Sequence, residues 1–193
     1  VQFASDNYAG IAPEALEAFV RANAGHAAAY GNDRWTREAA DAVRRTFDAD
    51  VPVYFVPTGT AANALAIASI CRPTDAVVCH EFAHVNVDEC GACEAASGGA
   101  KLLAVTGPGA KVTPEAFAAR AVANDEHASR PRALSLTQAT ELGTLYAPRE
   151  LGARADAAHE RGIKVHLDGA RFANAVAALG CAPADLAQRA GVD

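Results

Sequence analysis

Val51-Pro52-Val53-Tyr54-Phe55-Val56-Pro57-Thr58-Gly59-Thr60 runs directly into Ala61-Ala62-Asn63-Ala64-Leu65-Ala66-Ile67-Ala68. Residues 51–56 are β-branched, aromatic or proline and read as a short buried strand. Pro57-Thr58-Gly59-Thr60 ends that run, and the alanine-rich segment after it reads as a helix. A strand passing through a tight turn into a helix is a building unit of α/β folds. Further apolar runs at residues 76–79, 101–105, 133–136 and 164–167 read as strands, with helical patterns at 114–123 and 148–160. Strands apolar on both faces and alternating with helices predict a mainly parallel sheet covered on both sides, a three-layer α/β/α architecture.

Upstream of that stretch, Ala15, Leu16, Phe19 and Val20 keep helical spacing behind Pro13, a residue suited to a first turn. A second helix fits residues 36–47, with Thr36 as cap and Ala39, Ala40, Val43 and Phe47 on one face. Residues 1–50 are therefore expected to form a helical N-terminal arm. Downstream, residues 183–193 read as helical up to Gly191-Val192-Asp193. No internal repeat or interdomain linker divides the chain, so residues 1–193 are expected to belong to one large domain.

Composition narrows the function classes. The 193 residues carry a formal net charge of -6, 51% hydrophobic and 21% charged residues. That is ordinary globular usage, with enough apolar material for a sizeable core. The acidic balance argues against nucleic acid or a polybasic membrane contact as partner. No apolar run approaches the roughly 20 residues of a membrane-spanning helix, and no signal peptide pattern opens the chain. Five cysteines, an odd number set among apolar segments, read as free thiols of a reducing, cytoplasmic compartment.

Several short strings can carry chemistry. Thr58-Gly59-Thr60 at a helix start can present backbone N–H groups and hydroxyls to an anion, although a plain capped turn explains the same residues. It is neither a Walker loop nor a dinucleotide fingerprint. His80-Glu81-Phe82-Ala83-His84 matches the His-Glu-x-x-His zinc string, and Cys90-Gly91-Ala92-Cys93 lies nearby. The zinc string begins at the end of an expected strand and not within a long helix, so no metal is expected. His166-Leu167-Asp168-Gly169-Ala170-Arg171 follows another strand. There Asp168 can hold a protonated heterocyclic nitrogen and Arg171 can offer a planar fork to an oxyanion, or the two can simply pair with each other. Asn7, Asp33, Asp88, Glu89 and Glu141 read by default as turn or cap residues, and Tyr30-Gly31-Asn32-Asp33 as a turn.

Together these strings resemble the low-specificity L-threonine aldolases, pyridoxal-phosphate enzymes of the aspartate-aminotransferase-like fold. The matching strings begin with Ser5-Asp6-Asn7, Tyr30-Gly31-Asn32-Asp33, Thr58-Gly59-Thr60-Ala61-Ala62-Asn63 and His80-Glu81-Phe82-Ala83-His84. They continue through Asp88-Glu89-Cys90-Gly91-Ala92, Ser97-Gly98-Gly99-Ala100-Lys101-Leu102, Ser135-Leu136-Thr137-Gln138-Ala139-Thr140-Glu141-Leu142-Gly143-Thr144 and His166-Leu167-Asp168-Gly169-Ala170-Arg171-Phe172-Ala173-Asn174-Ala175. Each is short; their order and spacing make the likeness specific.

The resemblance implies pyridoxal 5'-phosphate as cofactor, its phosphate held by Thr58, Gly59 and Thr60. It implies His84 stacked on the pyridine ring as base for the substrate hydroxyl, Asp168 paired with the pyridine nitrogen, and Arg171 near the phenolic oxygen and the substrate carboxylate. Ser5 is implied as a carboxylate contact, and Tyr30 as reaching a neighbouring subunit's site in a homodimer or homotetramer. The implied reaction is cleavage of L-threonine or a related β-hydroxy-α-amino acid to glycine and an aldehyde. Such an enzyme holds its cofactor on a lysine as a Schiff base. Lys101, Lys111 and Lys164 all sit outside that context. The family's lysine follows a Gly-Val-Asp segment, and this chain ends on Gly191-Val192-Asp193. The chain is therefore expected to be a large domain incomplete at its C-terminus, inactive alone, with the small C-terminal domain absent. Alternative readings are another pyridoxal-phosphate lyase, racemase or aminotransferase, a zinc protein using His80, His84, Cys90 and Cys93, or a remnant that only dimerises.

Overall fold

A computed structural model describes residues 4–5, 8–122 and 126–193. Asp6 and Asn7 of the Ser5-Asp6-Asn7 string, and Ala123 at the end of an expected helix, lie outside the described residues. In chain order the elements are α1 (Pro13–Ala22), α2 (Arg34–Phe47), α3 (Gly59–Ile70), β1 (Asp75–His80), α4 (His84–Val87) and α5 (Ala92–Ala96). There follow β2 (Lys101–Val105), α6 (Pro114–Arg120), β3 (Arg130–Thr137), α7 (Pro148–His159), β4 (Lys164–Asp168) and α8 (Phe172–Leu179). The expected strand and helix positions from residue 76 to 160 are borne out, with ends shifted by a few residues.

The sheet runs β2-β1-β3-β4 and every pairing is parallel. Alternation along each strand sends side chains to two different cores. Val77, Cys79 and Ala133 pack with Ile67 and Cys71 of the α3 segment and Cys93 of α5. Val78, Leu134, Leu136 and Val165 pack with Phe117 of α6 and with Leu151, Ala155 and Ala158 of α7. Sequestering each Val, Leu or Phe side chain contributes about 1.5–3 kcal/mol. Both faces must be covered because the strands are apolar on both, so the three-layer α/β/α architecture holds. Among the described residues no helix is long and apolar enough to cross a membrane.

Three local expectations need correction. Residues 51–56 form no strand: the segment is extended but unpaired, with Tyr54 84% and Phe55 56% exposed. Composition favours extended backbone there, but a strand also needs a neighbour's N–H and C=O groups, and Val51 O instead accepts from Arg44 Nε at 2.8 Å. The cap of α2 is Asp33 and not Thr36: Thr36 N donates to Asp33 Oδ1 at 2.8 Å and its hydroxyl to Oδ2 at 2.7 Å. A carboxylate has two acceptor oxygens for these donors, so Asp33 wins the position. Residues 183–193 form two 3-10 turns, Pro183–Leu186 and Gln188–Ala190, ended by Gly191 in the left-handed region at φ 80°.

Helix α1 buries no residue, and Phe19 on it is 70% exposed. Helix α2 docks against the C-terminal part of the chain. There Phe47 meets Phe172 at 5.3 Å between ring centroids, Arg189 pairs with Asp48 at 2.8 Å, and Gln188 Nε2 donates to the Phe47 carbonyl.

Candidate active site

Strand β1 is central to the site. The chain leaves it for β2 on one side and returns to β3 on the other. The carboxyl ends of β1 and β3 therefore flank a topological switch point, where open α/β sheets leave a crevice. A cleft of about 970 Å³ opens there, between those ends, the end of β4 and the start of α3.

The first wall is the start of α3. Thr58 caps it, its Oγ1 accepting from Ala61 N at 3.1 Å and its carbonyl from Ala62 N at 3.1 Å. That leaves the amides of Gly59 and Thr60 without an acceptor among the described residues, and both residues line the cleft. Free N–H groups at the positive end of a twelve-residue helix suit an anion.

The second wall follows β1. The strand ends at His80, whose ring is spent locally: Nε2 meets Gly107 O at 3.1 Å and Nδ1 accepts from Phe82 N at 3.1 Å. His84 instead opens α4 and lines the cleft with its side chain 44% exposed. The two histidines thus share no helix, and the zinc-string reading loses its geometry. Two carboxylates hold His84. Glu141 Oε1 accepts its backbone N–H at 3.0 Å, and Glu89 Oε1 lies 2.8 Å from its Nδ1.

Glu89 is buried. Its Oε1 also accepts from Asn63 Nδ2 at 2.7 Å, and Cys93 Sγ donates to its Oε2 at 3.6 Å. Burial and the neighbouring Glu89 push the Cys93 thiol up to about 12, so the S–H keeps its proton for that bond. A carboxylate placed among donors takes the imidazole Nδ1–H as another, which leaves the Nε2 lone pair of neutral His84 free.

The third wall is the end of β4. Asp168 Oδ2 accepts from the other hydrogen of Asn63 Nδ2 at 3.0 Å, and its Oδ1 accepts from Ala170 N at 3.0 Å. Asp168 forms no ion pair with Arg171 among the described residues, so the simple pairing of the two gives way to separate places on the cleft. His166 lies two residues back on the same face, its Nδ1 2.9 Å from Ser135 Oγ. Burial holds its pKa below the usual histidine value, although Asp168 and Glu89 oppose that shift.

The fourth wall is the loop after β3, which carries Glu141. Gln138 Nε2 donates to Tyr146 O at 2.8 Å and its Oε1 accepts from Tyr146 N at 3.0 Å, pinning the loop's base. The hydroxyls of Thr140 and Thr144 lie 2.9 Å apart, and Thr140 Oγ1 donates to Gly109 O at 3.0 Å.

Of the residues singled out from sequence, Ser5, Thr58, Gly59, Thr60, His84, Asp168 and Arg171 all line this cleft. Tyr30 does not. It is fully exposed in a left-handed conformation (φ 62°) and lies with Trp35, Tyr54 and Phe55 along a separate groove. Asn63, Glu89 and Glu141 were missed. Asn63 carried one signal, a lone amide within an otherwise small and apolar helix; Glu89 and Glu141, read as turn residues, carried none. The three lysines lie off the cleft: Lys101 opens β2, Lys111 pairs with Glu150 and Lys164 with Asp193.

These walls fit an anionic group joined to a heterocycle. The unclaimed amides at Gly59 and Thr60 suit the anion, and Asp168 and His84 flank the space for a ring. Glu141 Oε2 is buried with no hydrogen-bond partner among the described residues, a further polar atom left for a bound group.

Comparison with known proteins agrees. The family model described as beta-eliminating lyase matches residues 2–193. The chain is 50% identical over 193 residues to a low-specificity L-threonine aldolase of a Pseudomonas species and 51% identical to that of Pseudomonas aeruginosa. Each match covers 100% of this chain and 56% of the relative, so the chain spans about half the length of those curated relatives. The solved structure of Leishmania major threonine aldolase superposes with a TM-score of 0.87 at 30% identity, over 94% of this chain and 54% of that one. The chain belongs to the beta-eliminating lyase family of pyridoxal-phosphate-dependent enzymes.

Proposed function

We propose that this chain supplies the cofactor-binding half of an active site that cleaves L-threonine, or a related β-hydroxy-α-amino acid, to glycine and an aldehyde. The observation that carries this reading is the His84–Glu89 pair at 2.8 Å, which puts an oriented base in the same cleft as Asp168 and the start of α3. Pyridoxal phosphate, when bound, supplies an electron sink for the charge left on Cα as the Cα–Cβ bond breaks. The Gly59 and Thr60 amides, with the Thr58 and Thr60 hydroxyls, would hold its phosphate. Asp168 would hold its ring nitrogen, stabilising the protonated form as a carboxylate beside a cation does.

His84 Nε2 takes the β-hydroxyl proton, and Glu89 stabilises the imidazolium that results. Arg171, without an ion pair among the described residues, is the fork for the substrate carboxylate, with Ser5 beside it. The exposed apolar side chains of α1 and the groove at Tyr30, Tyr54 and Phe55 are the proposed contact faces for a second copy, in a homodimer or homotetramer. Residues 1–50 would then act as the arm of a cofactor-binding large domain. All five cysteines are free, as suits a cytoplasmic setting.

The deciding experiment gives the full-length protein L-threonine and follows its products. Glycine with acetaldehyde supports the reading. Ammonia with a keto acid, and no glycine, replaces it with an eliminating or transaminating enzyme of the same fold.

A further inference from the structure

We infer that Asn63 is a positioning residue that locks the imidazole-holding carboxylate and the ring-facing carboxylate together through one side-chain amide. The inference rests on the cleft reading above and goes beyond it. Asn63 is 6% exposed on α3, and its Nδ2 donates to Glu89 Oε1 at 2.7 Å and to Asp168 Oδ2 at 3.0 Å. Its orientation follows from chemistry: the flipped amide would set its carbonyl oxygen against two carboxylate oxygens. A primary amide nitrogen has two hydrogens and no free lone pair, so both facing oxygens must accept.

That requirement reaches His84. Glu89 Oε1 already accepts from Asn63 and faces His84 Nδ1 at 2.8 Å, so Nδ1 carries the proton and Nε2 is left as the base. The same helix starts at the Gly59 and Thr60 amides, one turn before Asn63. A single rigid element therefore sets three places relative to one another: the anion site, the imidazole and the ring-facing carboxylate.

The neutrality of the amide matters as much as its reach. A lysine or arginine between Glu89 and Asp168 would offset one of their two negative charges. An amide satisfies one oxygen of each and leaves their charge for an imidazolium and a ring nitrogen. Arg171, the nearby cation on the cleft, forms no ion pair with Asp168 among the described residues, consistent with that division.

The test uses the full-length protein with ¹⁵N-labelled histidine, as wild type, Asn63→Leu and Asn63→Ser. Leucine removes both donors at similar volume, and serine keeps one. In the cofactor-free wild type, the His84 imidazole nitrogens should report a single Nδ1–H tautomer. Asn63→Leu should show a mixture of tautomers, with Asn63→Ser between. In the loaded protein, kcat for glycine release should fall about 10- to 100-fold in Asn63→Leu, the loss of a hydrogen bond to a charged group, with KM within about threefold. If Asn63→Leu does not fold, Asn63→Ser carries the same readings at smaller size. An unchanged His84 tautomer and kcat in a folded variant overturn the inference. A wild type that releases no glycine overturns the proposed reaction instead, and the tautomer measurement still decides the role of Asn63.

Discussion

Replacing Glu89 by glutamine removes one negative charge from beneath His84 while keeping the side chain's shape. The glutamine carbonyl can still accept from Asn63 Nδ2 and His84 Nδ1, and its NH₂ group then faces the Cys93 sulfur, a weak acceptor. What is lost is the attraction between a carboxylate and the imidazolium that forms as His84 takes a proton. At about 4 Å between charge centres and an effective dielectric near 20, that attraction is about 4 kcal/mol. Solvent reaches His84, whose side chain is 44% exposed, while Glu89 is fully shielded, so about half is retained as an effective loss, roughly 2 kcal/mol. At 1.36 kcal/mol per decade, kcat should fall about 30-fold in Glu89→Gln. KM should stay within about threefold, because the charge matters only once the proton moves. The assay is steady-state release of glycine and aldehyde by the full-length protein, with cofactor occupancy matched to wild type by its visible absorbance. A kcat within threefold of wild type at equal occupancy would refute the role given to Glu89.

Further outcomes concern the frame that holds the site. Tyr146→Phe removes the buried hydroxyl that accepts from Val112 N at 2.7 Å, and the orphaned amide should cost about 1–3 kcal/mol of stability in chemical denaturation. Burial pushes the Tyr146 phenol up to about 12, whereas in the unfolded chain it ionises near its ordinary value of 10, so the wild-type advantage should hold below about pH 9 and fall as pH rises from 10 toward 12. Gly107→Ala would drive a Cβ into the Lys111 carbonyl oxygen, so the loop that receives the His80 ring must shift. A lowered melting temperature is expected, and an unchanged one would show that the loop yields freely. At Asp33 the hydroxyl and amide of Thr36 hold the carboxyl below its ordinary value of 3.8. A carboxyl depressed in the folded state contributes stability above 3.8 that is lost as pH falls through its folded value. Asp33→Asn keeps a capping oxygen but cannot titrate, so its deficit against wild type should be present at pH 6 and shrink in acid. A deficit constant from pH 6 to pH 2 would count against this cap.

The Pseudomonas relatives match this chain along its whole length, which is 56% of their own.

Local sequence determined what depends on near neighbours. The run Lys101-Leu102-Leu103-Ala104-Val105 is β2 at its expected bounds, because its alternating apolar residues pack on both sides of the sheet, Leu102 against one core and Leu103 against the other. Pro13 and Thr58 mark helix starts for reasons within one turn of chain. Seven of the eight residues named through the resemblance of ordered strings line one cleft. The tertiary structure decided what depends on distant partners. Residues 51–56 have strand composition but no strand beside them. Glu89 was indistinguishable from a turn residue until the fold brought Asn63, 26 positions away, to its carboxylate, and Asp168, a further 105 positions from Asn63, to the same amide. A hydrogen bond across that separation depends on the path of the chain through the sheet, and no window of neighbouring residues contains it.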